Sequence, residues 1–211
     1  MQRQPLDRFI HELAAARIGS AVNPYAAEHE QPDLDRPGAA AIRTANLRDY
    51  LVSRAREPVL LVGEAAGYRG CRFSGIAFTS ERSLAAERWS SRLAAGWQEP
   101  SATVVHRALE ALSLEEDVLL WNALPLHPAG ATALSNRPPT GAELAADARW
   151  LHRLMELVRP RAVVAVGTSA ARVLPGAPVL RHPSHGGATA FARQLGEWAA
   201  WGSGRSMPEY D

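Results

Sequence analysis

The sequence predicts an α/β fold of three layers, in which a central, mostly parallel four-stranded sheet carries helices on both faces. Four short apolar runs, 58–62 (PVLLV), 117–121 (DVLLW), 162–166 (AVVAV) and 178–180 (PVL), are separated by segments with helical spacing. Apolar residues fill these runs instead of alternating with polar ones, which marks strands buried on both faces beneath crossover helices. A glycine-rich stretch, 63–78 (GEAAGYRGCRFSGIAF), follows the first run directly. In such sheets ligands lie beyond the carboxyl ends of the strands, so this stretch falls where a binding site belongs.

The elements follow in order. Residues 6–17 have amphipathic helical spacing, and 23–37, with three prolines and several acids, reads as a connector or flap. Residues 1–37 thus form an N-terminal helix and loop-rich extension of a single domain spanning 1–211. Residues 39–56 form a helix leading into the first strand, 58–62, and the glycine-rich loop begins at Gly63. Ser101 is positioned to cap a helix to Leu112, and the second strand ends at Asn122. Residues 123–140 hold four prolines and form a loop. Thr140 caps a helix to Val158, the third strand is 162–166, and Thr168 opens a short helix. The fourth strand leads into His182-Pro183-Ser184-His185-Gly186-Gly187 and a helix over 188–201. The last ten residues are expected to be loosely held.

At 211 residues and 46% hydrophobic content, the chain is long enough for one well-buried core. A net charge of +1 neither requires nor excludes nucleic acid. All 23 Lys and Arg positions are Arg, so any basic footprint must be made by guanidinium groups; Arg69, Arg72 and Arg82 surround the first loop. A lone cysteine, Cys71, excludes intramolecular disulfides and four-cysteine metal or cluster sites, and points to a reducing compartment. His127 lacks partners at ligand spacing, and no metal is expected. No apolar run is long enough to span a bilayer and the N-terminus reads as an amphipathic helix, so a cytoplasmic protein without membrane contact is expected.

Three groups converge at the carboxyl ends of the predicted strands. They are the 63–78 loop with Phe78, Asn122 after the second strand, and His182-Pro183-Ser184 after the fourth. The glycines bring a ligand close to backbone amides, and Phe78 offers a flat apolar face to a planar ring.

GEAAG with GIAF, the strand ending LLWN and the tripeptide HPS occur in that order, and on these blocks the chain resembles the uracil-DNA glycosylase superfamily. The spacing from Gly63 to Phe78 is similar to the single-strand-selective monofunctional branch, and Gly63-Glu64 to the thermophile-type branch. The resemblance implies hydrolysis of the N-glycosidic bond of uracil, or a related deaminated or modified base, flipped out of DNA. It assigns Phe78 to stack on the base and Asn122 to read it through one amide donor and one acceptor, matching uracil O4 and N3–H. His182 would donate to O2 as charge develops there. Gly63, Ala65, Gly67 and Tyr68 would line the base, and Ser184, His185, Gly186 and Arg137 would contact the DNA backbone.

The chain departs from the family pattern in several places. Ala65 stands where most branches carry the Asp or Asn that positions water, leaving Glu64 as the candidate for water or for the oxocarbenium-like sugar. Ala66 replaces a proline, which implies a less rigid turn. The cluster-holding cysteines are missing, so no cofactor is carried over. Glycines at 186 and 187 replace a bulky wedge, favouring single-stranded or mismatched substrate or a wedge from Arg181, His185 or the Asn136–Arg137 loop. The absence of Lys implies a monofunctional enzyme, since a Schiff base needs an amine. The expected partner is DNA carrying uracil or another damaged base, met by a nucleoid-associated prokaryotic monomer. A binder that has lost turnover, or forms a covalent adduct, is the alternative, as is a glycosylase for hypoxanthine or xanthine.

Overall fold

The computed structural model describes residues 3–54, 57–84, 89–92 and 96–202, so most of the expected loose C-terminal segment lies outside the described residues. Four strands, β1 (Val59–Ala65), β2 (Val118–Leu124), β3 (Ala162–Val166) and β4 (Val179–Leu180), form one sheet in the order β2-β1-β3-β4. Every pairing is parallel, with Val59 opposite both Val118 and Ala162. The helices are α1 (Arg3–Ala14), α2 (Ala39–Ser53), α3 (Cys71–Ser74), α4 (Pro100–Ala111), α5 (Gly141–Val158), α6 (Thr168–Val173) and α7 (Ala188–Gly202). They flank the sheet in two groups. α1 packs on α2 and α5, with α5 and α6 against the strands, while α4 packs on α7.

The continuous apolar runs are buried as expected, and all seven residues of β2 are inaccessible. Phe9 of α1 sits 6.0 Å from the Trp121 ring and 5.9 Å from Trp150, joining α1, β2 and α5 through one aromatic cluster. The outer edge of β2 is covered by α2, whose Tyr50 hydroxyl accepts the Leu120 amide hydrogen at 2.7 Å. Thr140 and Glu143 form a reciprocal capping box, so α5 starts where the sequence predicts.

Three expectations are corrected. β1 continues through Gly63, Glu64 and Ala65, because the ladder to β2 persists: Gly63 pairs with Asn122 and Ala65 with Leu124. Asn122 is likewise inside β2 and not at its end. Ser101 does not cap α4. Pro100 occupies the first turn behind Glu99, because proline has no amide hydrogen to satisfy there.

Residues 23–37 are not a flap. Asn23 is buried, donating its side-chain amide to the Leu13 and Ala16 carbonyls, and Asp35 lies between two buried guanidinium groups. Arg43 Nη1 reaches Asp35 Oδ1 at 2.7 Å and Arg72 Nη2 reaches Oδ2 at 2.9 Å. Arg72, read from sequence as a possible phosphate ligand, is thereby committed to the interior.

Asp147 of α5 is fully buried, and neither carboxylate oxygen has a hydrogen-bond partner. Burial pushes its carboxyl up to about 8. The folded state therefore holds an extra proton between the ordinary Asp value and pH 8, and stability falls as pH rises through that window. Asp147→Asn removes the ionisation. It should raise Tm at pH 8 by about 5 °C, corresponding to roughly 2 kcal/mol, and shrink that gain toward pH 4. Thermal melts of both proteins at pH 4, 6 and 8 measure this.

Candidate active site

At the carboxyl end of the sheet, Glu64, Ala65, Gly67, Cys71, Phe78, Glu99, Asn122 and His182 line a slot of about 20 Å³, the space of a single water. β1 supplies Glu64 and Ala65, β2 supplies Asn122, and the loop after β4 supplies His182. The slot adjoins two open grooves of about 570 and 490 Å³. Gly67, Glu99 and Ser184 border the first; Glu64, Arg181 and His182 border the second.

Phe78 is buried with φ 48°, in the left-handed region that bulky side chains seldom occupy. Its carbonyl accepts from His106 Nε2 at 3.0 Å, and its ring lies over Gly63. A Cβ on Gly63 would collide with the Phe78 ring and come 3.1 Å from Asn122 Oδ1. Gly63 therefore serves close approach within a strand, and not a turn. The Asn122 side chain shares that face because Gly63 and Asn122 are register partners. Asn122 is itself buried.

His182 lies with its ring 6.1 Å from that of Phe78. Its Nδ1 accepts from the Ser184 amide at 3.2 Å and faces the Ser184 hydroxyl at 2.7 Å. An amide can only donate, so in the neutral ring the proton is on Nε2. Burial lowers the His182 pKa, which keeps that neutral form as the main one at physiological pH. Glu64 Oε2 accepts from the Ser169 hydroxyl of α6 at 2.6 Å, a partner that sequence reading missed because only the β1–β3 pairing brings α6 alongside.

The turn after β1 is held more firmly than Ala66 implied. Its amide faces the Leu124 and Leu126 carbonyls, and its own carbonyl accepts from His127 Nδ1 at 2.8 Å. Burial lowers the His127 pKa to about 4, so the ring is neutral and Nδ1 carries the proton that makes this bond. A hydrogen-bonded histidine thus ties down a turn that has no proline. Sequence gave no sign of this, since His127 and Ala66 are far apart in the chain.

The predicted backbone contacts divide. His185 (φ 50°) and Gly186 (φ 75°) form the exposed rim of the first groove with Tyr68 and Arg69. Tyr68 belongs to that groove and not to the slot; its ring meets Trp97 edge-on at 5.4 Å. The Ser184 hydroxyl is engaged by His182 and, at 3.0 Å, by His185 Nδ1, so it positions the imidazole. Arg137 is not available for phosphate. Its guanidinium grips both oxygens of Glu143 at 2.7 and 2.5 Å and reaches Ser20, locking the start of α5. Its neighbour Asn136 reaches the site instead, accepting the Tyr68 amide hydrogen at 3.0 Å. Among the described residues no group of three or more His, Cys, Asp and Glu side chains is placed to hold a metal.

Fold and slot together define a parallel α/β domain with a polar, aromatic-walled recess at its strand ends. Residues 51–203 match the family model of the Uracil DNA glycosylase superfamily, and the chain belongs to that superfamily. Among solved structures, the crystal structure of wild-type Pedobacter heparinus SMUG2 is similar in fold. It has a TM-score of 0.67 at 14% identity, covering 96% of this chain and 100% of that one. No curated protein matches the sequence significantly.

Proposed function

We propose that this protein is a monofunctional DNA base glycosylase that hydrolyses the N-glycosidic bond of uracil, or a related deaminated or modified base, flipped out of DNA. One observation carries the reading. Phe78, Asn122, His182 and Glu64, from four separate segments, line one slot in a chain of this superfamily. In this reading Phe78 stacks on the base and Asn122 reads its edge. The Nε2–H of His182 donates to the base oxygen on which negative charge accumulates as the bond breaks, an interaction stronger in the transition state than in the ground state. Glu64, oriented by Ser169, acts on the attacking water or on the cationic sugar. A pyrimidine exceeds the slot's free volume, so its entry requires the lining side chains to part.

The test is incubation with single-stranded and duplex oligonucleotides carrying uracil, hypoxanthine, xanthine or 5-hydroxymethyluracil, followed by alkaline cleavage of abasic sites. Turnover on uracil supports the proposal. Tight binding without strand breaks would instead favour a binder that has lost turnover, the reading suggested by Ala65, which has no group to hold water. Glu64→Gln should slow excision about 100-fold with little change in binding, measured by single-turnover kinetics beside equilibrium titration; an unchanged rate removes Glu64 from the mechanism.

A further inference from the structure

Glu99 is the polar group of the slot that the reading above leaves without a role. It immediately precedes α4, and its side chain turns inward beneath the glycine-rich turn. Oε1 lies 3.1 Å from the position a Gly67 Cβ would take, and Oε2 fills the space a Gly70 Cβ would need. The absence of side chains at 67 and 70 thus makes room for this carboxyl. Oε1 accepts from the Ser101 hydroxyl at 2.9 Å. Oε2 is buried and has no hydrogen-bond partner, on a residue that lines the slot. Burial raises the Glu99 pKa, against the smaller opposing effect of the Ser101 hydrogen bond.

A buried, unpaired carboxyl beside a ligand slot is costly unless the ligand completes its hydrogen bonding. With Oε1 already accepting from Ser101, the proton of the neutral acid belongs on Oε2, where it forms an O–H donor without a protein acceptor. The slot then offers three donors, Glu99 Oε2–H, His182 Nε2–H and the Asn122 amide, with side-chain acceptors on Asn122 and Glu64. That balance suits a heterocycle rich in ring carbonyls. An exocyclic amine in the same place would set donor against donor.

We propose that Glu99, as the neutral acid, is a specificity-determining residue that donates a hydrogen bond to a carbonyl oxygen of the flipped base, selecting oxo-bases over amino-bases. This rests on the glycosylase reading for its substrate. The transfer is of no atom: Glu99 keeps its proton throughout, and excision fails once that proton is lost to solvent at alkaline pH.

The experiment compares wild type, Glu99→Gln and Glu99→Ala in two measurements from pH 5.5 to 9.5: single-turnover excision of uracil from single-stranded DNA, and equilibrium binding of free uracil and free cytosine. The glutamine amide also donates. Glu99→Gln should therefore stay within about threefold of wild type and lose the alkaline decline of the wild-type rate, whereas Glu99→Ala should lose about 10- to 100-fold and bind uracil and cytosine more equally. A Glu99→Gln protein as impaired as Glu99→Ala, beside a wild-type rate that rises with pH, would overturn the proposal by requiring the ionised carboxylate. A Glu99→Ala protein with wild-type rate and selectivity would overturn it as well. Base binding separates this idea from the glycosylase reading. If wild type cleaves nothing yet binds uracil in a pH- and Glu99-dependent way, the glycosylase reading falls and Glu99 stands. If uracil binding ignores both, Glu99 falls whatever the turnover.

Discussion

His182→Ala is expected to slow uracil excision about 100- to 1,000-fold in single-turnover assays while leaving DNA binding within a few fold of wild type. The magnitude is that of removing one preorganised donor from a developing anion, roughly 3–4 kcal/mol. The direction follows from the hydrogen-bond pattern. Ser184 holds Nδ1 as an acceptor, leaving Nε2–H free to donate into the slot. Ser184→Ala removes the hydroxyl contact but keeps the backbone amide, and should therefore lose part of the same rate by loosening the ring, without removing the donor itself. Because burial lowers the His182 pKa, any inflection that this ring gives the wild-type rate should fall at lower pH than that of an exposed imidazole. An inflection at higher pH than that, or full activity in the alanine variant, would remove the neutral imidazole from the mechanism.

The second large effect concerns stability. Asp35→Ala is expected to destabilise the fold by roughly 3–5 kcal/mol, lowering Tm by about 10 °C, because it leaves Arg43 and Arg72 buried without their shared counter-ion. Asp35→Asn keeps one acceptor but no charge and should fall between the two. The pH dependence has a definite sign. Burial by itself would raise the Asp35 carboxyl, but the hydrogen bond and charge of Arg72, aided by the Gln31 amide and Arg43, hold it below its usual value. Its contribution is complete above the ordinary Asp value and is lost as pH falls through the lowered folded value. Urea titrations at pH 7 and pH 3 on wild type and Asp35→Ala measure both; equal midpoints at pH 7 would show the triad to be energetically neutral.

The slot was partly legible in the sequence. Asn122 and His182 stand within or just beyond a strand whose apolar run announces it, Phe78 closes the segment that leaves the first strand, and parallel sheets bring such ends together. Glu99 was not legible, because nothing in Gln98-Glu99-Pro100 distinguishes an inward carboxyl from a solvated one. Its direction depends on two glycines some thirty residues away whose missing side chains admit it. Ser169 and His127 were hidden for the same reason. Arg137 shows the converse error: a loop arginine near a binding site is a reasonable phosphate ligand until Glu143, in the first turn of α5, is found to hold both its terminal nitrogens.

By itself the sequence determined the layers and the chain order of the strands. Apolar runs of this length between helical segments bury themselves in only a few ways, and a capping box such as Thr140 with Glu143 acts within a single turn. It also placed the aromatic, the amide and the imidazole on the carboxyl-end side of the sheet. Tertiary structure decided the rest: that the ladder between β1 and β2 runs on past Gly63, that Phe78 lies over that glycine, that the Nδ1 of His182 is occupied, and that a carboxyl stands buried opposite. Each of these depends on contacts between residues distant in sequence, where distances of a few tenths of an ångström decide whether a side chain is free, paired or enclosed.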